Sequence, residues 1–157
     1  MAHFAELESK TDPTGFTSDT HLVVKRVVVV GNDVVPSDEH ADGETWCRDF
    51  FGSETIWKQT SYNNNFRKLY AGIGMIYNDS KNKFLMSQPF ASWVLDSNDD
   101  WQAPVTYPSI TTYDSSGTEK YYGISWDEDN TRWTAYDSEE SANTFNWDAS
   151  ALAWVSA

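Results

Sequence analysis

Three stretches of this sequence repeat one spacing: an aromatic residue, then Asn or Asp, then five residues, then a second aromatic. They run from Tyr77-Asn78 to Phe84, from Trp126-Asp127 to Trp133 and from Trp147-Asp148 to Trp154. Asx and Ser side chains hydrogen-bond a turning backbone, and aromatics flanking a tight loop sit opposite each other on adjacent strands. Each stretch therefore reads as a β-hairpin with an aromatic pair at its neck. Two variants of the pattern differ by one residue, Leu95 to Trp101 being shorter and Tyr113 to Tyr121 longer. That irregularity argues against a strict solenoid.

The rest of the chain supports a β-rich reading. Ala2 to Glu8 and His21 to Val35 are strand candidates, the second rich in β-branched Val, which packs well on a pleated surface. Four consecutive valines, Val27 to Val30, cannot alternate in polarity and predict a strand covered on both faces or one buried at an interface. Between these strands "SKTDPTGFTSDT" reads as a turn-rich insertion. The one helix expected spans about 44–51, with Trp46, Cys47, Phe50 and Phe51 near one face and Gly52 as its stop. Pro89, Pro104 and Pro108 favour extended links. The expected fold is mainly β, a hairpin- and meander-rich single domain with one short helix. Residues 1–108 would form a β-rich docking domain and 109–157 an acidic, aromatic β-hairpin extension, either a small C-terminal subdomain or a continuation of the same domain.

Charge narrows the partners. The net charge is −13, and from Leu85 onward twelve acidic residues face only two basic ones, Lys120 and Arg132. A nucleic-acid partner needs a basic face, so none is expected. The most apolar stretch, "HLVVKRVVVVGNDVV", is interrupted by Lys25 and Arg26 and is too short for a helical span, so no membrane is expected either. The opening "MAHFAELESK" lacks a basic region followed by an apolar run, so the expected place of synthesis is a cytoplasm. Cys47, the single cysteine, rules out an internal disulfide or a Cys-based zinc site and reads as a small buried hydrophobe.

Nothing in the sequence assembles a catalytic constellation. His3, His21 and His40 stand in no motif, and Asp99-Asp100 and Asp127-Glu128-Asp129 read as solvated turns, so no enzyme and no cofactor are expected. Asp96, Asn98 and Asp100 fill the first three ligand positions of a calcium loop. Trp101 then replaces the glycine and Tyr107 the bidentate acid, leaving a weak candidate and an expectation of no metal. Gly72 and Gly74 lack a third glycine and a following helix, and read as strand glycines under a close backbone. The segment from Trp57 to Asp79 is nearly free of acid in an acidic protein. Trp57, Tyr62, Asn64, Phe66, Arg67, Lys68 and Tyr70 suit a docking loop, because Arg and aromatics are enriched in interface cores. The alternative is a polar loop whose asparagines make turns and whose cations pair with surface acids. Trp101 and Trp133 are candidates for stacking on sugar rings.

The run "WKQTSYNNNFRKLYAGIGMIYN", followed by "QPFASWVLDSNDDWQAPVTYP", resembles a family of short virion structural or hypothetical proteins of tailed bacteriophages, mainly marine cyanophages and their relatives. "MAHFAEL", "VVKRVVVVGNDVV" and "WDEDNTRW" are similar to that family too, so the likeness spans most of residues 1–108 and, more loosely, 121–133. The insertion "SKTDPTGFTSDT" and the residues after Tyr136 depart from the pattern. The resemblance carries over no catalytic residue. It implies a non-enzymatic virion protein made in the host bacterial cytoplasm, foremost a capsid decoration or cement protein outside the head. Its expected partners are the major capsid protein, other virion proteins and further copies of itself. The alternative it leaves open is a tail or neck component in adsorption, with glycan binding.

Overall fold

The two strands expected at the start of the chain form a long hairpin. The structure, a computed structural model, describes residues 1–11, 13–16, 18–35 and 40–157. Strand β1 (Ala2–Thr11) pairs antiparallel with β2 (Thr20–Val30). Asp12 and Thr17, within the expected insertion, lie outside the described residues, as do residues 36–39. The second strand ends at Val30, five residues short of the expected Val35, because the chain turns back with the Val34 N–H donating to the Gly31 carbonyl (3.0 Å). Helix α1 (His40–Phe51) begins ahead of the expected Glu44. Gly43 reads as a helix breaker, but a Cβ added there would lie 2.4 Å from the Phe4 ring, so glycine lets the helix rest directly on β1. Gly52 ends the helix as expected, its N–H bonded to the Arg48 carbonyl at 2.9 Å.

The chain divides into two compact units, Met1–Pro89 and Phe90–Ala157. This moves the boundary ahead of the expected residue 108, because Phe90, Trp93, Ala103 and Val105 pack against the tryptophan core of the second unit. In the first unit β3 (Ile56–Thr60), β4 (Ile76–Asn78) and β5 (Lys83–Leu85) complete an antiparallel sheet of order β3-β1-β2-β4-β5. Phe4, Val30 and Trp57 meet Cys47 of α1 on one face, while Ala5, Leu7, Val24, Tyr77 and Phe84 pack with Ala71 and Met75 on the other. The valine run serves both cores, Val28 and Val30 toward the helix and Val27 away from it, while Val29 is exposed. A bulge sets Glu6 opposite Arg26 and Leu7 opposite Val24, so Lys25 and Arg26 both bond the buried Glu6 carboxylate. Burial alone would raise that carboxyl, but the two cations together hold it below the usual range.

The second unit contains a two-stranded hairpin, β6 (Val94–Leu95) with β7 (Trp101–Gln102), and a five-stranded meander. The meander runs β8 (Thr112–Ser115), β9 (Thr118–Asp127), β10 (Arg132–Asp137), β11 (Thr144–Asp148) and β12 (Ala153–Ser156), each strand antiparallel to its neighbour. Twelve strands and one helix make the described chain mainly β.

All three hairpins of equal spacing form as expected. Tyr77 lies opposite Phe84, Trp126 opposite Trp133 and Trp147 opposite Trp154, with ring centroids 5.0, 5.1 and 5.0 Å apart. In each, the Asx after the first aromatic caps the loop. Asn78 Oδ1 accepts the Lys81 N–H, Asp127 Oδ1 that of Asn130, and Asp148 Oδ1 those of Ser150 and Ala151. Two residues before the second aromatic the backbone is left-handed, at Asn82 (φ 52°), Thr131 (52°) and Leu152 (51°). Holding Thr and Leu there means the aromatic neck and the Asx cap together outweigh a local steric cost. The longer variant departs from expectation. Its turn is the two-residue Ser116-Gly117, both at positive φ, so Tyr113 faces Lys120 and packs on Tyr122 (4.9 Å), leaving Tyr121 exposed.

Gly72 and Gly74 are not in a strand. Gly74 (φ 86°) sits in a turn that docks on β2, its N–H donating to the Val24 carbonyl (2.9 Å) while the Val24 N–H donates to Met75 (2.8 Å). The backbone bonded there is that of β2, but a Cβ added at Gly74 would meet nothing within 4 Å and one at Gly72 only the Met75 side chain, so the close approach expected over the glycines is absent and Gly74 serves its left-handed turn.

Candidate docking site

The segment from Trp57 to Tyr77 runs from β3 through an irregular loop into β4, and the structure sorts its residues into two kinds. Trp57 is buried in the helix-side core, its Nε1 donating to Thr55 Oγ1 (2.7 Å). Arg67, the expected centre of a docking patch, is internal: its side chain is only 7% exposed. Its Nη1 donates to Glu44 Oε1 and to the Gln59 carbonyl, both at 2.7 Å, and its Nε donates to Asn82 Oδ1 at 2.9 Å. Glu44 Oε1 in turn accepts the Gln59 N–H at 2.8 Å. The carboxylate and guanidinium thus satisfy the N–H and C=O that β3 would otherwise present at its outer edge, as a neighbouring strand would. The Arg67 carbonyl also accepts the Phe84 N–H of β5 (2.9 Å), so one residue closes both edges of the sheet.

Asn64 and Lys68 also serve the loop. Asn64 Oδ1 accepts the Tyr70 N–H (2.6 Å), and Asn64, Arg67 and Lys68 all adopt left-handed backbone, at φ 56°, 57° and 67°. The docking reading therefore fails for Trp57 and Arg67, whose side chains are internal, while Asn64 and Lys68 turn the chain.

Tyr62, Phe66 and Tyr70 remain, and they gather partners the sequence did not flag. Tyr62 is 69% exposed, stacks on His3 (5.8 Å, 25° between planes) and meets Tyr70 edge-on at 5.4 Å. Phe66 lies 4.4 Å from the His40 ring, whose Nδ1 bonds the Gln59 side chain. Beside them opens a cleft of about 410 Å³ lined by Met1, His3, Gln59, Tyr62, Asn63 and Phe66. The β1–β3 register, which pairs His3 with Thr60, brings His3 there. The signal in the sequence is that His3 interrupts the otherwise apolar start of β1.

In the second unit Trp133 is only 7% exposed. It meets Trp93, Tyr107 and Trp126 edge-on, and its Nε1 donates to the Val105 carbonyl (2.9 Å), so it is core and no platform for a sugar. Trp101 is half-buried opposite Leu95. Tyr107, like Tyr121 and Tyr136, is exposed here, and nothing in its sequence position marked it as a ring platform. Asp96 Oδ1 accepts the N–H groups of Asn98 (2.8 Å) and Asp100 (3.0 Å), so the carboxylate offered for calcium caps its own turn. Among the described residues no three His, Cys, Asp or Glu side chains gather to hold a metal. Glu128 accepts from the Ser92 N–H (2.8 Å), the Ser92 hydroxyl (2.7 Å) and Trp126 Nε1 (2.7 Å), and these bonds, Ser92 foremost, hold its carboxyl below the usual range.

Cys47 is fully buried against Phe4 and Trp57, and burial, aided by the Glu44 charge, pushes its thiol up to about 11. Iodoacetamide at pH 8 should therefore leave the folded protein unmodified for hours and label it stoichiometrically in denaturant. Mass spectrometry showing rapid labelling of the folded chain would contradict this placement.

Comparison with known proteins adds no relative: no family model, curated protein or solved structure matches the chain.

Proposed function

We propose that this chain is a non-enzymatic structural protein of a bacteriophage virion, a decoration or cement protein on the outside of the head. The phage assignment rests on the residue runs that resemble virion proteins. The observation carrying a docking role is the aromatic cleft at the start of β1, where Met1 and Tyr62 are exposed beside His3 and Phe66. Exposed aromatic and Met side chains around a concavity are the composition of interface cores. The acidic second unit, with twelve acidic residues against two basic ones, suits a solvated surface.

Immunogold labelling of intact particles tests the placement. Gold spread over the head is the expected result; gold confined to the tail or neck would move the protein to adsorption, and unlabelled particles would overturn the virion role. Tyr62→Asp should abolish co-sedimentation of the purified protein with capsids while leaving its circular dichroism spectrum unchanged. Undiminished co-sedimentation would remove the cleft from the interface.

A further inference from the structure

Two clefts in the second unit share a wall. One, of about 490 Å³, is lined by Trp93, Gln102, Val105, Thr106, Tyr107 and Trp133. The other, of about 450 Å³, lies against Pro104, Val105, Tyr107, Ser109, Trp147 and Leu152. Both fall within the ~300–1,000 Å³ typical of small-molecule sites. Val105, Thr106 and Tyr107 belong to both walls, so Tyr107 stands as a ridge in a divided aromatic groove.

We propose that this groove binds a neutral oligosaccharide, with consecutive sugar rings on either side of Tyr107. Pyranose rings present apolar C–H faces and an equatorial belt of hydroxyls. They are matched by aromatic faces interrupted by short polar side chains, and this groove offers Trp93 and Tyr107 together with Gln102, Thr106 and Ser109. Tyr107 is 55% exposed, which leaves its ring open to stacking, while its edge-on contact with Trp133 at 4.9 Å fixes its orientation before a ligand arrives. Such preorganisation removes part of the entropy cost of binding. The unit around the groove carries a net charge of −10, with twelve acidic residues and two basic ones from residue 90 onward. That field disfavours sialylated, sulfated or uronic-acid sugars and selects neutral ones. The surface thus differs from the acid-rich turns of the same unit, whose carboxylates are occupied in capping backbone.

The test is calorimetric titration of the full chain with cellobiose, maltose, lactose and N,N′-diacetylchitobiose, with 3′-sialyllactose as the charged comparison. The expected result is saturable binding of at least one neutral disaccharide, weaker binding of the sialylated sugar, and a loss of about tenfold in Tyr107→Ala. Tyr107→Phe, which keeps the ring and its contact with Trp133, should bind like the parent, separating stacking from any loss of local structure. Absence of heat with every neutral sugar, preference for sialyllactose, or Tyr107→Ala binding as well as the parent at unchanged thermal stability would each overturn the proposal. None of these outcomes depends on where the protein sits on a particle.

Discussion

Arg67→Ala is expected to lower the stability of the first unit by about 3–5 kcal/mol, the cost of leaving one partner of a buried ion pair behind. The substitution strands the Glu44 carboxylate, whose side chain is 10% exposed, and takes one donor each from the Gln59 carbonyl and from Asn82 Oδ1, which keeps the Tyr77 hydroxyl. It also reopens the outer edge of β3, so the variant should aggregate at lower denaturant or temperature than the parent. Arg67→Lys should recover little, because a single ammonium cannot reproduce a planar fork directed at Glu44, Gln59 and Asn82 together. Pairing Arg67→Met with Glu44→Leu should restore a part of the loss, since no charge is then buried alone, though the edge groups of Gln59 stay unmet. Urea unfolding followed by Trp fluorescence measures each value. A loss below about 1 kcal/mol for Arg67→Ala would return the residue to the surface and revive its docking role. Charge reversal at Arg67 is for the same reason a test of folding, which is why Tyr62 carries the docking test.

The hairpins were legible because everything they need is local. Tyr77 and Phe84, or Trp147 and Trp154, are seven positions apart, and the Asx cap and left-handed residue fall between them. Arg67 was not legible, because its partners are Glu44, Gln59 and Asn82, residues 23, 8 and 15 positions away. A cation in an asparagine-rich loop reads as surface by composition, and only the curl of the sheet brings β3, the β4–β5 turn and the helix around it. The same limit explains Trp133. Hairpin spacing shows that Trp126 and Trp133 pair, but not which face of the meander is covered. The cover comes from Phe90, Trp93 and Val105, placed by segments whose prolines read only as extended links. It also set the unit boundary ahead of the expected one. The exposed aromatic candidates, Tyr62 and Tyr107, became visible only after burial had removed Trp57 and Trp133 from the surface.

Trp133→Ala is the second large effect, expected to cost about 3–5 kcal/mol by opening a cavity among Trp93, Trp126 and Tyr107 and freeing the Val105 carbonyl. Two contributions act together. The indole fills the centre of a cluster whose other members meet it edge-on, so little can collapse into the space. Its Nε1 bond is also the tie between β10 and the segment around Val105. Trp133→Phe should lose less, keeping ring contacts while giving up the hydrogen bond, and the difference between the two variants measures what that tie contributes. Because the two units have separate cores, hydrogen exchange in Trp133→Ala should accelerate in β9, β10 and β11 while amides of β1 and β2 keep their protection. Stability within about 0.5 kcal/mol of the parent would instead make Trp133 an exposed ring. It would then be the sugar platform that the sequence left open, and Tyr107 would lose the support on which its own orientation depends.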